Sequence, residues 1–178
     1  MQGSGPTPSA PTIVRLVAAD APAYRRLMMR AYAEEPDAYT TTAEERAAEP
    51  EGWWVRRIAD PTGASAAWGA RVGDDLVGSV ALEFSRKPRT AHDALLLGMY
   101  VRPESRGSGA AQALVQACID HCVARGGIRH LKLPVTDANA AAIRLYESAG
   151  FATWGVEPGA ILVGGTLRAK RHMWRPIA

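Results

Sequence analysis

The feature that most constrains the fold is a strand–turn–helix–strand pattern in the middle of the chain. Residues 94–101 are apolar at nearly every position, which is typical of a strand buried on both faces. Gly107 and Gly109 then lead into a helix predicted over residues 109–125, and another apolar strand is predicted over residues 128–135. A helical connection of this length joins parallel strands. The sequence therefore predicts an α/β domain with a parallel pair at its centre.

The other elements follow from periodicity, caps and turn residues. Helices are predicted after a cap at Asp20, after a Thr42-x-x-Glu45 capping pattern with a break near Pro50, and after a cap at Asp137 or Asn139. Further strands are predicted over residues 12–17, 65–72 and 76–84, from residue 151, and on both sides of Gly164-Gly165. The sum is a mixed, twisted sheet of six or seven strands flanked by helices.

The length of 178 residues suits one domain. We expect a disordered tail over residues 1–11, which are rich in Gly, Ser, Pro and Thr, and a folded domain over residues 12–178. The tail lacks the pattern of a signal peptide and no segment is long enough to span a membrane, so a cytoplasmic location without a membrane partner is expected.

The net charge of +3 is mild, and the densest basic group is Arg168–His172 near the C-terminus. A nucleic-acid-binding protein would carry a larger basic face, so no nucleic-acid partner is expected. We interpret the basic group as a solvated strand edge.

Cys118 and Cys122 flank His121 within the predicted central helix. The sequence offers no second pair of ligands to complete a tetrahedral metal site. Because the two cysteines fall on the apolar stripe of the helix, we predict small buried side chains and no metal.

The glycine turn before the central helix fits neither common nucleotide fingerprint. The dinucleotide pattern requires a third glycine where Gln112 stands, and the phosphate loop of nucleotide triphosphatases requires a Gly-Lys-Ser/Thr that is absent here. Small residues from Gly107 to Ala111 leave room for a large anion against successive backbone N–H groups. At this point a pyrophosphate site and a plain turn both stay open.

Two segments resemble the GNAT acetyltransferases. Arg106-x-x-Gly109-x-Ala111 is similar to the Gln/Arg-x-x-Gly-x-Gly/Ala signature of that family, although Ala110 stands where a larger aliphatic residue is common. Further on, residues 139–151 resemble the family pattern Asn-x-x-Ala-x-x-Leu-Tyr-x-x-x-Gly-Phe. The two segments occur in the family's order. The resemblance covers roughly residues 12–178 and implies the GNAT fold, with a sheet splayed between its two central parallel strands.

This resemblance implies that acetyl-CoA is the cosubstrate, with its pyrophosphate on the glycine turn and its pantetheine arm along the central strand. A bulge at Gly98 would expose a backbone N–H near Gly98–Met99 to the thioester carbonyl, although a glycine that only makes room for a neighbour is the alternative. The residues implied in acetyl-CoA binding are Met99, Tyr100, Val101, Arg106, Gly107, Ser108, Gly109, Ala110, Ala111, Asn139 and Tyr146.

Tyr146 is implied as the catalytic acid that protonates the departing CoA thiolate. From periodicity alone it is equally a core tyrosine, and Asn139 is equally a helix cap. Arg106 is expected to contribute mainly through its backbone.

The implied reaction is direct transfer of an acetyl group from acetyl-CoA to an amine. A small-molecule amine is favoured over a protein N-terminus or lysine, because no peptide-groove signature is evident. A non-catalytic acyl-CoA sensor is the alternative outside enzymes, and a homodimer is left open.

The sequence does not decide which residue is the general base. The candidates are Glu34, Glu35, Glu83, His92 and Asp93. Acceptor specificity is expected from the Pro36–Thr42 loop, the Trp53-Trp54 pair, Glu157 and the terminal hairpin.

Overall fold

The computed structural model describes residues 10–178, so residues 1–9 of the predicted tail lie outside the described part. These residues form a seven-stranded sheet with five α-helices and four short 3-10 turns. The strands are β1 Thr12–Arg15, β2 Ser65–Val72, β3 Asp75–Phe84, β4 Asp93–Val101, β5 His130–Thr136, β6 Ala152–Val163 and β7 Thr166–Pro176. The helices are α1 Ala21–Glu34, α2 Ala43–Ala47, α3 Glu51–Ala59, α4 Ala110–Arg125 and α5 Ala140–Ser148.

The sheet order is β1-β2-β3-β4-β5-β7-β6, and β4–β5 is its parallel pair. In the described part of the chain, β4 pairs with β5 only through Asp93, Ala94 and Leu95. Beyond Leu95 the two strands separate, while β3 and β7 continue to pair along the outer sides of β4 and β5. The predicted mixed sheet, splayed between its central parallel strands, is confirmed.

Helices cover both faces of this sheet. Successive residues of β2 alternate between two hydrophobic clusters, with Trp68 in one and Ala67 in the other. The first cluster contains the buried stripe of α4 and part of α5, and the second contains α1 and α3. Cys118 and Cys122 are fully buried in the first cluster, as predicted. None of the helices within residues 10–178 has both the length and the apolar character needed to cross a membrane.

Local chemistry explains the boundaries of α2 and the start of α3. Thr42 and Glu45 form the predicted reciprocal cap, with Thr42 Oγ1 accepting from Glu45 N at 3.2 Å and Glu45 Oε2 accepting from Thr42 N at 2.8 Å. The predicted break at Pro50 separates α2 from α3. Asp20, by contrast, does not cap α1 with its side chain. Its carboxylate accepts from Val17 N at 2.8 Å and binds Arg71 at 2.6 Å, so it fixes the preceding turn instead.

The interpretation of Arg168–His172 as a solvated strand edge is wrong. Strand β7 pairs with β5 on one side and with β6 on the other, so β6 forms the edge. Lys170, in the middle of β7, is 8% exposed. The error has a topological cause, because the last strand of the chain inserts between two earlier ones.

Candidate functional site

The separation of β4 and β5 opens a cleft of about 220 Å³. One wall is the middle of β4 around Gly98 and Met99, and the opposite wall is the end of β5 around Thr136. Asn139 and Tyr146 of α5 line the same cleft, as does the loop after α1. The fold therefore brings together segments that the sequence analysis connected only through resemblance.

The loop between β4 and α4 presents unpaired backbone donors. Gly107 and Gly109 have φ angles of +76° and +83°, and an added Cβ at either would meet no atom within 4 Å. Among residues 10–178, no oxygen accepts a hydrogen bond from the amides of Gly107, Ser108, Gly109 or Ala111. Those amides lie at the start of α4, where the helix dipole favours an anion. A phosphate-bearing ligand fits this open, donor-rich cradle.

The side chain of Arg106 points back to the protein. Its Nε donates to the carbonyl of Val101 at 3.0 Å, and its terminal nitrogen binds the carboxylate of Glu35. Glu104 lies on the same loop and binds Arg30 of α1 through both of its oxygens, at 2.7 and 3.0 Å. These ion pairs fasten the loop to the C-terminal end of α1.

The backbone of β4 alternates between its neighbour and the cleft. The amide of Arg102 donates to Val77 of β3 at 2.9 Å, so Arg102 and, by alternation, Tyr100 face β3. The carbonyls of Met99 and Val101 accept from side chains outside the sheet, at 3.1 Å from Tyr39 and 3.0 Å from Arg106. Met99 and Val101 therefore offer backbone groups on the cleft side.

Gly98 forms a β-bulge. Ser79 pairs with Tyr100 and Ala81 with Leu97, which leaves Gly98 and Met99 together opposite Val80. The φ of Gly98 is +61°, and an added Cβ would make only ordinary contacts, at 3.5 Å or more. Backbone conformation, rather than lack of space, therefore requires glycine here.

Asn139 caps α5, with Oδ1 accepting from the amide of Ala142 at 3.1 Å. This bond uses the oxygen and leaves the amide N–H groups as donors at the cleft. The Tyr146 ring is 5% exposed and lies edge to face with Phe151 at 5.8 Å. Burial raises the pKa of the Tyr146 phenol, so the hydroxyl stays protonated far above neutral pH.

The loop after α1, within the predicted Pro36–Thr42 segment, closes the cleft on the α1 face of the sheet. The Tyr39 hydroxyl donates to the carbonyl of Met99, and the Tyr39 ring packs edge to face on Tyr32 at 4.7 Å. Asp37 binds Arg168 at 3.0 Å, and Thr40 accepts from Lys170 at 2.6 Å. The loop is thus attached to β4 and to β7, on both sides of the split.

The five candidate bases lie in different places. Glu35 lines the cleft, whereas Glu34 is held by Arg30 and by the Tyr100 hydroxyl, whose hydrogen bonds lower the pKa of Glu34. Glu83 pairs with Arg57 at 3.1 Å. His92 and Asp93 lie at the closed end of the β4–β5 pair, about 16 Å along the strand from Gly98. Of the five, Glu35 is therefore nearest in place to the reaction site implied by the resemblance.

The residues expected to set acceptor specificity also lie in different places. Trp54 is 1% exposed in the core. Trp53 stacks under the guanidinium groups of Arg46, at 4.3 Å, and Arg57, at 5.6 Å, and both arginines line the cleft. Glu157 binds His172 at 2.9 Å on the β6–β7 hairpin.

The sequence analysis missed Lys170 as a site residue. It lines the cleft and is buried, while its sequence neighbours suggested only a basic surface. A lysine in the middle of a central strand would have indicated a buried charge. The sequence could not provide this signal, because chain order does not show that β7 lies between β5 and β6.

Comparison with known proteins agrees with this geometry. The Acetyltransferase (GNAT) family matches residues 23–151. A mycothiol acetyltransferase of Geodermatophilus obscurus is 34% identical over 143 residues, which are 78% of this chain and 43% of that protein. The L-amino acid N-acetyltransferase AaaT of Escherichia coli is 31% identical over 98 residues, 55% of this chain and 59% of that protein. The chain spans about half the length of the mycothiol acetyltransferases it matches.

Solved structures share the fold. A GNAT superfamily phosphinothricin acetyltransferase from Sinorhizobium meliloti, in complex with acetyl-CoA, superimposes with a TM-score of 0.80 at 21% identity, covering 95% of this chain and 89% of that one. The split sheet, the amide-lined loop and the matched segment from α1 to Phe151 all lead to the same conclusion. The chain belongs to the GNAT acetyltransferase family.

Proposed function

We propose that the chain is an N-acetyltransferase that moves the acetyl group of acetyl-CoA directly to a small-molecule amine. The observation that carries the proposal is the split between β4 and β5, with unpaired loop amides beyond one end and Tyr146 in its wall. Family membership supports the reaction class, and relatives named for mycothiol and for L-amino acids support a small acceptor.

The amides of Gly107, Ser108, Gly109 and Ala111 would hold the pyrophosphate of acetyl-CoA, since they have no acceptor among residues 10–178. Met99, Val101 and the amide of Asn139 would bind the pantetheine arm, because their polar groups face the cleft. Tyr100 would contribute least, because its backbone faces β3. Acetyl-CoA supplies an activated acyl group as a thioester.

The bulge at Gly98 turns a backbone N–H near Met99 away from β3, where it can donate to an oxygen that gains negative charge. Tyr146 holds its proton in an apolar wall and would donate it to the departing thiolate. Glu35, the candidate base that lines the cleft, would accept the amine proton directly or through water.

The proposal is tested by following free thiol during incubation with acetyl-CoA and a panel of small amines, a peptide with a free N-terminus and a lysine peptide. We expect thiol release with at least one small amine and none above background with the peptides. Tight acetyl-CoA binding without thiol release for any amine would contradict the proposed acetyltransferase activity and favour a non-catalytic sensor. The cytoplasmic location and the lack of a nucleic-acid or membrane partner stay predictions, and the question of a homodimer stays open.

A further inference from the structure

Lys170 is a buried ammonium group without a carboxylate partner. The residue is 8% exposed and lines the cleft together with Gly98, Asn139 and Tyr146. Within residues 10–178, the hydrogen bond of its Nζ is to the hydroxyl of Thr40, at 2.6 Å, and no carboxylate lies within ion-pair distance of it. A hydroxyl offers a lone pair but no negative charge, so the charge of the lysine is left largely uncompensated.

The carboxylates around Lys170 are engaged elsewhere. Glu157 is its cross-strand neighbour on β6, but the Glu157 carboxylate is exposed and binds His172. Asp37 binds Arg168, and Glu35 binds Arg106. Burial lowers the pKa of Lys170, and the attraction of Glu157 offsets this only in part. An uncompensated buried charge is costly, and an anionic ligand group beside Lys170 would reduce that cost.

Two further cations lie in the cleft wall, and the carboxylate among the lining residues, Glu35, is already paired with Arg106. Arg46 and Arg57 line the cleft from α2 and α3, held over Trp53. Their carboxylate partners, Glu49 and Glu83, are not among the residues that line it. A simple polyamine would meet three cations in this wall, whereas a carboxylate would meet donors suited to charge-assisted hydrogen bonds.

We propose that Lys170 binds a carboxylate carried by the acceptor, so that the acceptor is a small molecule with both a primary amine and a carboxylate. This inference rests on the proposed acetyltransferase function and narrows its substrate class. The loop holding Thr40 closes the same side of the cleft, and it presents the anchoring hydroxyl beside the ammonium. Pyrophosphate is an unsuitable occupant of this position, because its cradle lies at the N-terminus of α4.

The test compares each L-amino acid with its own carboxamide, which keeps the amine and the side chain but removes the negative charge. For wild-type protein we expect the best amino acid to exceed its amide at least about 30-fold in kcat/KM, mainly through KM. In Lys170→Met this ratio falls to about 1, and Lys170→Arg restores part of it. The matched control is Lys87→Met, an exposed lysine outside the cleft, which keeps the wild-type ratio.

A second readout does not depend on turnover. In the presence of CoA, the preferred amino acid should raise the Tm of the wild-type protein and of Lys87→Met but not that of Lys170→Met, while its amide raises none of them. The proposed subsite would be overturned if the wild type had equal kcat/KM for the amino acid and its amide. It would also be overturned if Lys170→Met kept the wild-type kcat/KM ratio and Tm shift. Amino-acid binding that depends on Lys170 without thiol release would instead preserve the subsite and defeat the proposed catalysis.

Discussion

At the scale of single residues, the proposed chemistry depends on polar groups that are buried in the cleft wall. Tyr146 is buried and keeps its proton, and Lys170 is buried with no carboxylate at ion-pair distance among residues 10–178. Burial of either polar group costs stability in the isolated chain. Both residues line one cleft, and ionisable groups with shifted pKa values cluster at functional sites.

Replacing Tyr146 by Phe removes the proposed proton donor and preserves the ring contact with Phe151. We expect kcat to fall about 100-fold with less than a twofold change in the Kd of acetyl-CoA. Steady-state kinetics and calorimetric titration measure the two quantities. Unaltered turnover would remove Tyr146 from the catalytic step, and a large loss of acetyl-CoA affinity would make it a binding residue.

Local sequence patterns, together with the family resemblance, drew attention to Gly98, Asn139 and Tyr146. The structure places all three in the wall of the cleft, and their roles stay predictions. The sequence did not identify Lys170 or the Tyr39–Met99 hydrogen bond. Those contacts join residues far apart in the chain, and they exist only because β7 lies beside β5 and the α1 loop crosses the split.

At the scale of elements, one bulge divides β4 into two parts. Up to Leu97 the strand is an ordinary member of the sheet, and at Gly98 the extra residue shifts its register against β3. Alternation then directs Met99 and Val101 toward the cleft while Tyr100 and Arg102 stay with β3. The bulge, with its positive φ angle at Gly98, therefore sets which backbone groups of β4 face the cleft.

Gly98→Ala tests this dependence. The added methyl group has room, but a φ of +61° costs an alanine about 1 kcal/mol. Because the strain is relieved by flattening the bulge, we expect kcat to fall at least about tenfold while the unfolding free energy drops by only about 1 kcal/mol. Gly155→Ala is the control, since Gly155 lies in strand β6 without a positive φ and with open space around it. Equal effects of the two changes would argue against the bulge.

At the scale of the whole molecule, the sheet consists of two halves joined at one end. Strands β1–β4 form one half and β5–β7 the other, and only three residues of β4 pair across the junction in the described chain. At that end Asp93 accepts from Lys132 at 2.6 Å and from His130 at 3.1 Å. These bonds hold the halves together where the backbone pairing begins.

Asp93→Asn should weaken this junction. We expect the unfolding free energy to fall by about 1 kcal/mol near neutral pH, with no such loss for the exposed Asp74→Asn in the β2–β3 turn. Burial alone would raise the pKa of Asp93, but the hydrogen bonds of Lys132 and His130 outweigh it and lower the pKa below 3.8. The stabilisation is thus present above pH 3.8 and is lost as pH falls through the lowered value.

Thermal unfolding from about pH 5 to about pH 3 measures the difference. The wild type should lose more Tm over this range than Asp93→Asn, because the variant has no such carboxylate to protonate. Parallel curves would show that Asp93 does not hold the halves together.

The predicted strands and helices were nearly all present, since each depends on local periodicity and caps. The strand order was not predictable in the same way. A terminal hairpin such as β6–β7 can add to the sheet by either strand, and only tertiary packing decides that β7 contacts β5.

The two cysteines of the chain have a practical consequence. Cys118 and Cys122 are fully shielded, and burial raises the pKa of both thiols, to about 11 for Cys122. Because thiolates rather than thiols react with disulfide reagents, the two cysteines of the folded protein should not react with these reagents. A cysteine introduced on the loop after α1 would then be the single labelling position, and a fluorophore there would report ligand binding in the adjacent cleft in real time.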